Sequence, residues 1–282
     1  MPSLSPAARE TELTIAIGFH DVVQDGGLAR AIAPGHTTWY TLERSEFRKH
    51  LEAIRSRVGQ EAVRRIDQVR GLGAPFSVLL TFDDGALSAY SLVAQELEDF
   101  GWRGHFFVTS NWIGRPGFLE RQQIRELQQR GHLIGSHSCS HPERMSHLTG
   151  SDLVREWSLS CAVLGEIIGQ PVTAASVPGG YYSPRVASAA AAAGIEVLFT
   201  SEPTATRSYV DGCLVLGRYS VQGHMSASLS GAIAAGEKGP RLQQAALWSA
   251  KKAVKRISGR SYLSVRRMLL GWLPGPGHQC VW

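Results

Sequence analysis

Phe76-Ser77-Val78-Leu79-Leu80-Thr81-Phe82 runs directly into Asp83-Asp84-Gly85. Seven mostly apolar residues, rich in Val, Leu and Phe, read as a strand buried on both faces, the pattern of a parallel sheet. Two adjacent carboxylates at the end of such a strand are costly unless they are paired or hold a metal. Neighbouring side chains on an extended segment point to opposite sides, so both can serve one site only if the strand end twists. Taken alone, Asp83-Asp84-Gly85 also fits a polar turn.

Six further short apolar runs share this character: Leu13–Phe19, His105–Thr109, Leu133–Gly135, Val172–Val177, Ile195–Thr200 and Leu214–Tyr219. Helical spacing of apolar residues marks Leu42–Val58, Ser88–Phe100, Leu119–Arg130, Asp152–Ile168 (with Ser151 as its N-cap) and Arg185–Ala193, which follows Ser183-Pro184. Each of the five stops before a glycine, the residue that takes the left-handed position after a helix at least cost. Gly71-Leu72-Gly73-Ala74-Pro75 reads as a loop. Strands alternating with helices predict an α/β fold with about seven parallel strands. Pattern alone does not choose between a barrel and an open doubly wound sheet.

At 282 residues, 43% hydrophobic and 19% charged, the chain has the composition of a globular enzyme. Its net charge of +5 is unevenly placed. Residues 237–282 hold nine Lys or Arg and one acid, whereas the rest carries 20 basic and 23 acidic residues. The expected division is a barrel over 1–235 and a basic helical tail over 236–282. Within Ala245–Leu273 the cations interleave with large apolar residues, a pattern suited to an anionic membrane surface, although a helix with a solvated basic face also fits. No nucleic-acid motif occurs, so nucleic acid is not an expected partner. Cys139, Cys161, Cys213 and Cys280 form no C-x-x-C pair or disulfide framework. The stretch Met1–Leu13 has no basic region followed by an apolar core, and no apolar run reaches the roughly 18 residues that span a bilayer. These features predict a cytoplasmic protein, peripheral at the inner membrane face if the tail binds lipid.

The polar outliers gather at strand ends: His20 after the first, Asp83-Asp84 after the second, His137 and His141 after the fourth, Pro178-Gly179-Gly180 after the fifth, and Arg218 late in the seventh. In parallel α/β folds those ends meet at one face, where active sites form. His137 and His141 would share one face of a helical turn, a spacing that suits a common metal. One Asp and two His make an open three-ligand site for zinc or a similar divalent ion. Cys139, between the histidines, is expected to point away from them.

Thr81-Phe82-Asp83-Asp84-Gly85, then His137-Ser138-x-x-His141, then Pro178-Gly179-Gly180-Tyr181, in that order, resemble the motifs of the polysaccharide deacetylase family, the NodB-homology or carbohydrate esterase family 4 group. The likeness covers roughly residues 13–221. It implies a distorted (β/α) barrel with about seven parallel strands, here with the basic helical C-terminal tail appended. It also implies a metal-dependent hydrolase that removes N-acetyl groups from an amino sugar in a saccharide or glycolipid intermediate. The resemblance places Asp84, His137 and His141 on the divalent metal, zinc by ligand type, and makes Asp83 the general base. It gives the Pro178–Tyr181 segment, with Gly179, Gly180 and Tyr181, the oxyanion and substrate contacts.

Two positions depart from that pattern. The family often carries an Arg two residues before the motif Pro, orienting the base; here that residue is Ser176. The family often ends its last motif with a His that protonates the leaving amine; here Arg218 stands near that place. Arg cannot serve as a general acid, because its pKa exceeds about 12, but it could orient Asp83 or bind substrate. His20 is then the first candidate for the acid and His224 the second. The alternative readings are a metal-dependent hydrolase of another amide and a catalytically silent carbohydrate-binding relative.

Overall fold

The computed structural model describes residues 13–27, 38–69 and 76–258, with side chains described as far as 250. Nine strands form one sheet: β1 (Leu13–Phe19), β4 (Phe76–Phe82), β5 (His105–Val108), β6 (Leu133–Ser136), β7 (Ala174–Ser176), β8 (Val197–Phe199), β9 (Arg207–Val210), β10 (Cys213–Leu216) and β11 (Tyr219–Ser220). Their spatial order is β11-β1-β4-β5-β6-β7-β8-β10-β9. Every neighbouring pair is parallel except β10 with β9. A small parallel pair, β2 (Val22–Val23) with β3 (Leu42–Glu43), ties the loop after β1 to the start of the first helix. The helices are α1 (Arg44–Val58), α2 (Ile66–Val69), α3 (Ala94–Asp99), α4 (Arg121–Gln129), α5 (Gly150–Ile168), α6 (Pro184–Ala192), α7 (Ala227–Ala234) and α8 (Lys238–Ser258).

The sheet curls into a distorted barrel, and side-chain alternation separates its two faces. Ala16, Leu79, Phe107, Phe199, Leu214 and Leu216 come from strands far apart in the order, yet they pack in one buried cluster that fills the interior. Ile66 and Val69 of α2 join that cluster where the strands begin. There the Ile66 N–H donates to His105 Nε2 at 2.9 Å, while His105 Nδ1 meets the Leu80 carbonyl at 2.8 Å. On the outer face Phe19, Phe82 and Phe106 stack in a row at centroid spacings of 5.4 and 5.1 Å, with Phe47 of α1 edge-on to Phe19. Aromatic pairs in such offset and edge geometries are favourable beyond the area they bury.

The stretch Leu214–Tyr219, expected as one strand, is two. Its first part pairs with β8 and its last with β1, so the chain crosses the interior at Gly217-Arg218. Gly217 allows this, because a Cβ there would lie 2.3 Å from the Glu202 carbonyl. Glycines 59, 101, 131, 169 and 194 all have positive φ, as expected after the five helices. The N-cap of α5 is Thr149, whose hydroxyl accepts from the Asp152 N–H, and not Ser151. The Gly71–Pro75 loop, Cys280 and the tail beyond Ser258 lie outside the described residues.

Helix α8 opens the basic stretch and lies along the free edge of β11. Arg241 Nε donates to the Tyr219 hydroxyl at 2.8 Å, and Gln244 Nε2 donates to the Ser220 carbonyl at 2.8 Å. An edge strand offers unpaired backbone groups, and a helix laid on it satisfies and covers them. Farther along, the Trp248 ring meets Gly180. No helix among the described residues is long and apolar enough to cross a membrane.

Candidate metal centre and its buried base

Strand β4 delivers Asp83 and Asp84, and the twist that an adjacent pair requires is present. Asp84 has φ 73°, and Gly85 follows at φ 81°. A side chain at Gly85 would lie 2.9 Å from Val108 Cγ1, so the turn needs glycine both for its conformation and for space. The reversal aims the two carboxylates at different partners around one buried site.

Asp84 meets the histidines. Its Oδ1 lies 3.4 Å from His137 Nε2 and 3.5 Å from His141 Nε2. These gaps exceed the 2.7–2.9 Å usual for a charge-assisted hydrogen bond. Ligand atoms about 2.0–2.2 Å from a tetrahedral ion stand roughly 3.4 Å apart, so the spacing fits three ligands converging on a divalent cation. The possible ligand atoms of Asp84, His137 and His141 all lie within 4.8 Å of one another. His137 Nδ1 faces the Ser176 carbonyl at 3.0 Å. A carbonyl only accepts, so Nδ1 carries the proton and Nε2 keeps its lone pair for a metal, a backbone contact typical of metal-ligating histidines. The donor set therefore fits the group that the motifs imply. Burial pushes the Asp84 carboxyl up, but the facing imidazoles of His137 and His141 outweigh it and hold it well below the usual range.

The two histidines do not sit on a helical turn. Ser138 (φ 65°) and His141 (φ 55°) both take the left-handed conformation, so the segment coils back as a loop. Trp112 stacks on the His141 ring at 4.8 Å. Cys139 Sγ donates to Asn111 Oδ1 at 3.3 Å and stays out of the ligand cluster, as expected.

Asp83 is held by Arg218 in a two-point grip: NH1 to Oδ1 and NH2 to Oδ2, each 2.7 Å. The same guanidinium donates from Nε to the Thr200 carbonyl, from NH1 to Thr81 Oγ1 and from NH2 to Ser176 Oγ. All five of its N–H groups are thereby spent. Arg218 is 2% exposed. Of the two roles left open for it, orienting Asp83 is the one the geometry supports. The departure at Ser176 has the same explanation, because its hydroxyl occupies one of those donors. The charge that orients Asp83 thus comes from position 218, across the barrel. Burial raises the Asp83 carboxyl, but the Arg218 and His137 charges overcome it and leave the group at about 2. Asp83 is therefore ionised.

His20 directly follows β1, half-buried, and stacks on Tyr40 at 4.4 Å. Burial lowers its pKa despite the charges of Asp83 and Asp84, and its Nδ1 is buried without a partner among the described residues. His224 is exposed and lies edge-on to Trp39. The Pro178–Gly180 turn needs glycine twice. Gly179 and Gly180 have φ 63° and 70°, and a Cβ on them would lie 3.0 Å from the Glu143 carbonyl and 2.9 Å from Trp248 Cη2. Arg144 covers the ring of the half-buried Tyr181. Tyr40, Trp112, Glu156 and Trp248 all touch this neighbourhood, and no motif in the sequence marks any of them.

The sequence model of the polysaccharide deacetylase family matches residues 73–198, the stretch carrying Asp83, Asp84, His137 and His141. Over that stretch the chain is similar to the polysaccharide deacetylase family. YxkH of Bacillus subtilis, provisionally named a polysaccharide deacetylase, is 32% identical over 155 residues, 55% of each chain. The chitin deacetylase of Colletotrichum lindemuthianum is 31% identical over 83 residues, 29% of this chain and 33% of that one. The chain spans about half the length of the first curated relatives it matches. Among solved structures, the Streptococcus pyogenes deacetylase PplD aligns with a TM-score of 0.63 at 19% identity, over 76% of this chain and 95% of that one. IcaB from Ammonifex degensii gives 0.60 at 22%, over 79% and 97%. These two structures share the fold described above.

Proposed function

We propose that this chain is a metal-dependent hydrolase that removes the N-acetyl group from an amino sugar in a saccharide or glycolipid intermediate. The observation that carries the reading is the pairing of two buried carboxylates with opposite partners. Asp84 faces two histidines at metal-ligand spacing, and Asp83 is kept ionised by Arg218 beside them. The family match and the name of YxkH support deacetylation as the reaction.

Asp84, His137 and His141 would hold the ion, with zinc favoured by the His and carboxylate donors. Bound there, a divalent ion supplies Lewis-acid polarisation of the acetyl carbonyl and acidifies water. Asp83 accepts the proton of the attacking water, and Arg218 keeps its carboxylate in place. Backbone N–H groups of the Pro178–Tyr181 turn face the developing oxyanion, and Gly179 and Gly180 let substrate approach closely. His20 would be the group that passes a proton to the departing amine.

The test is acetate release from a panel of N-acetylated saccharides by zinc-loaded protein. Asp83→Asn should keep the metal and lose about 10²–10⁴ in rate, the usual cost of removing a general base. Metal bound without acetate from any sugar, alongside hydrolysis of a non-sugar amide, would move the substrate to another amide. Absence of turnover on both, with no metal bound, would leave a carbohydrate-binding relative.

A further inference from the structure

The loop that presents His141 takes two left-handed residues, a conformation that L-amino acids other than glycine rarely adopt. Something must hold it. Four successive backbone N–H groups answer, each donating to a side chain. Ser138 N–H goes to Ser136 Oγ at 3.1 Å, and His141 N–H goes to Ser138 Oγ at 3.0 Å. The two between them, Cys139 N–H and Ser140 N–H, converge on a single oxygen, Glu156 Oε2, at 3.0 and 2.8 Å. The Ser140 hydroxyl takes the other oxygen, Glu156 Oε1, at 2.7 Å.

Glu156 stands on α5, whose Leu153, Trp157 and Leu164 are buried in the core. Ser160 of the same helix receives a hydrogen bond from Ser136 at 2.7 Å, fixing α5 to the end of β6. The loop's other side is held by two backbone bonds, Ser110 N–H to the Ser138 carbonyl and Asn111 N–H to the Cys139 carbonyl, by Cys139 Sγ on Asn111 Oδ1 and by Trp112 stacked on His141. Glu156 is thus the one side chain outside the loop and its parent strand that receives its N–H groups, among the described residues.

We propose that Glu156 is a positioning residue for the metal centre: its carboxylate clamps the strained loop so that His141 Nε2 converges with Asp84 and His137. The proposal rests on reading those three residues as metal ligands. Groups that orient first ligands typically change metal affinity about 10–100-fold when removed.

The experiment is a zinc titration of metal-stripped protein against a chelating dye, with the visible spectrum of the cobalt-loaded protein as a second readout. Glu156→Ala should weaken zinc binding about 10–100-fold and alter the cobalt bands. Glu156→Gln can place its carbonyl where Oε2 stands, keep both backbone bonds and retain affinity within a few-fold of wild type. Glu156→Asp keeps the charge but withdraws it from the loop, so it should resemble Ala. If Glu156→Ala does not fold, the contrast between Gln and Asp decides. Wild-type affinity and an unchanged cobalt spectrum in Ala or Asp would overturn the proposal, as would Gln as impaired as Ala. His141→Ala is the separate control. If it binds zinc like wild type, the ligand assignment has failed, and the clamp falls with it.

Discussion

Arg218→Met tests whether the two-point grip on Asp83 is what makes a buried carboxylate tolerable. The pair is 2% and 4% exposed at its side chains, so water cannot replace the lost guanidinium. Breaking a buried pair by removing one partner costs about 3–5 kcal/mol, because the other charge is left uncompensated. The substitution also strips a donor from the Thr200 carbonyl and from Ser176 Oγ. We expect a loss near 4 kcal/mol in urea denaturation of the metal-stripped protein at pH 7, or a fall of roughly 10 °C in melting temperature for a domain of this size. Asp83→Asn combined with Arg218→Met should cost at least about 2 kcal/mol less than the two single changes added, since contacting residues couple. Ser176→Arg in the Arg218→Met background, which returns an Arg to the position where the family often has one, should recover part of the loss. A single-variant cost under about 1 kcal/mol, or additivity within about 0.5 kcal/mol, would refute the reasoning.

Three further outcomes are expected. His20→Ala should cut turnover while leaving zinc affinity nearly intact, and His224→Ala should leave both unchanged; the reverse pattern would reassign the general acid. His105 is fully buried, and burial brings its pKa down to about 4 despite its bond to the Leu80 carbonyl. In the unfolded chain a histidine takes up its proton near pH 6.5, so between 6.5 and 4 the unfolded state binds a proton that the native state refuses. Stability from this group is full above 6.5 and declines by up to about 3 kcal/mol as pH falls to 4; an equally steep decline in His105→Gln would exclude it as a source. The basic stretch 236–282 is proposed to give salt-sensitive attachment to anionic lipid. Co-sedimentation with anionic vesicles should separate the full chain from one ending at residue 250, which keeps the contacts of α8 to β11 and Gly180; equal recovery in the supernatant would end that proposal.

Local signals were enough for the strand that ends in Asp83-Asp84, for most of its parallel neighbours and for the five glycine-terminated helices. Apolar runs and left-handed caps are properties of short segments, so they can be read without knowing what packs where. The clustering of Asp84 with His137 and His141 was legible for a related reason: carboxylate and imidazole in ordered motifs at strand ends have few bland explanations once a parallel sheet gathers those ends. Arg218 was not legible. It lies 135 residues from Asp83, and only the break of Leu214–Tyr219 into two strands pairing with opposite sides of the barrel sends it across the interior. The same holds for Glu156 on the histidine loop and for α8 on the edge of β11. The sequence by itself determined the elements and the chemical groups, because periodicity and side-chain type are local. Tertiary structure alone decided which charge meets which, because the partners of a buried ion are set by the curvature of the sheet and not by separation along the chain.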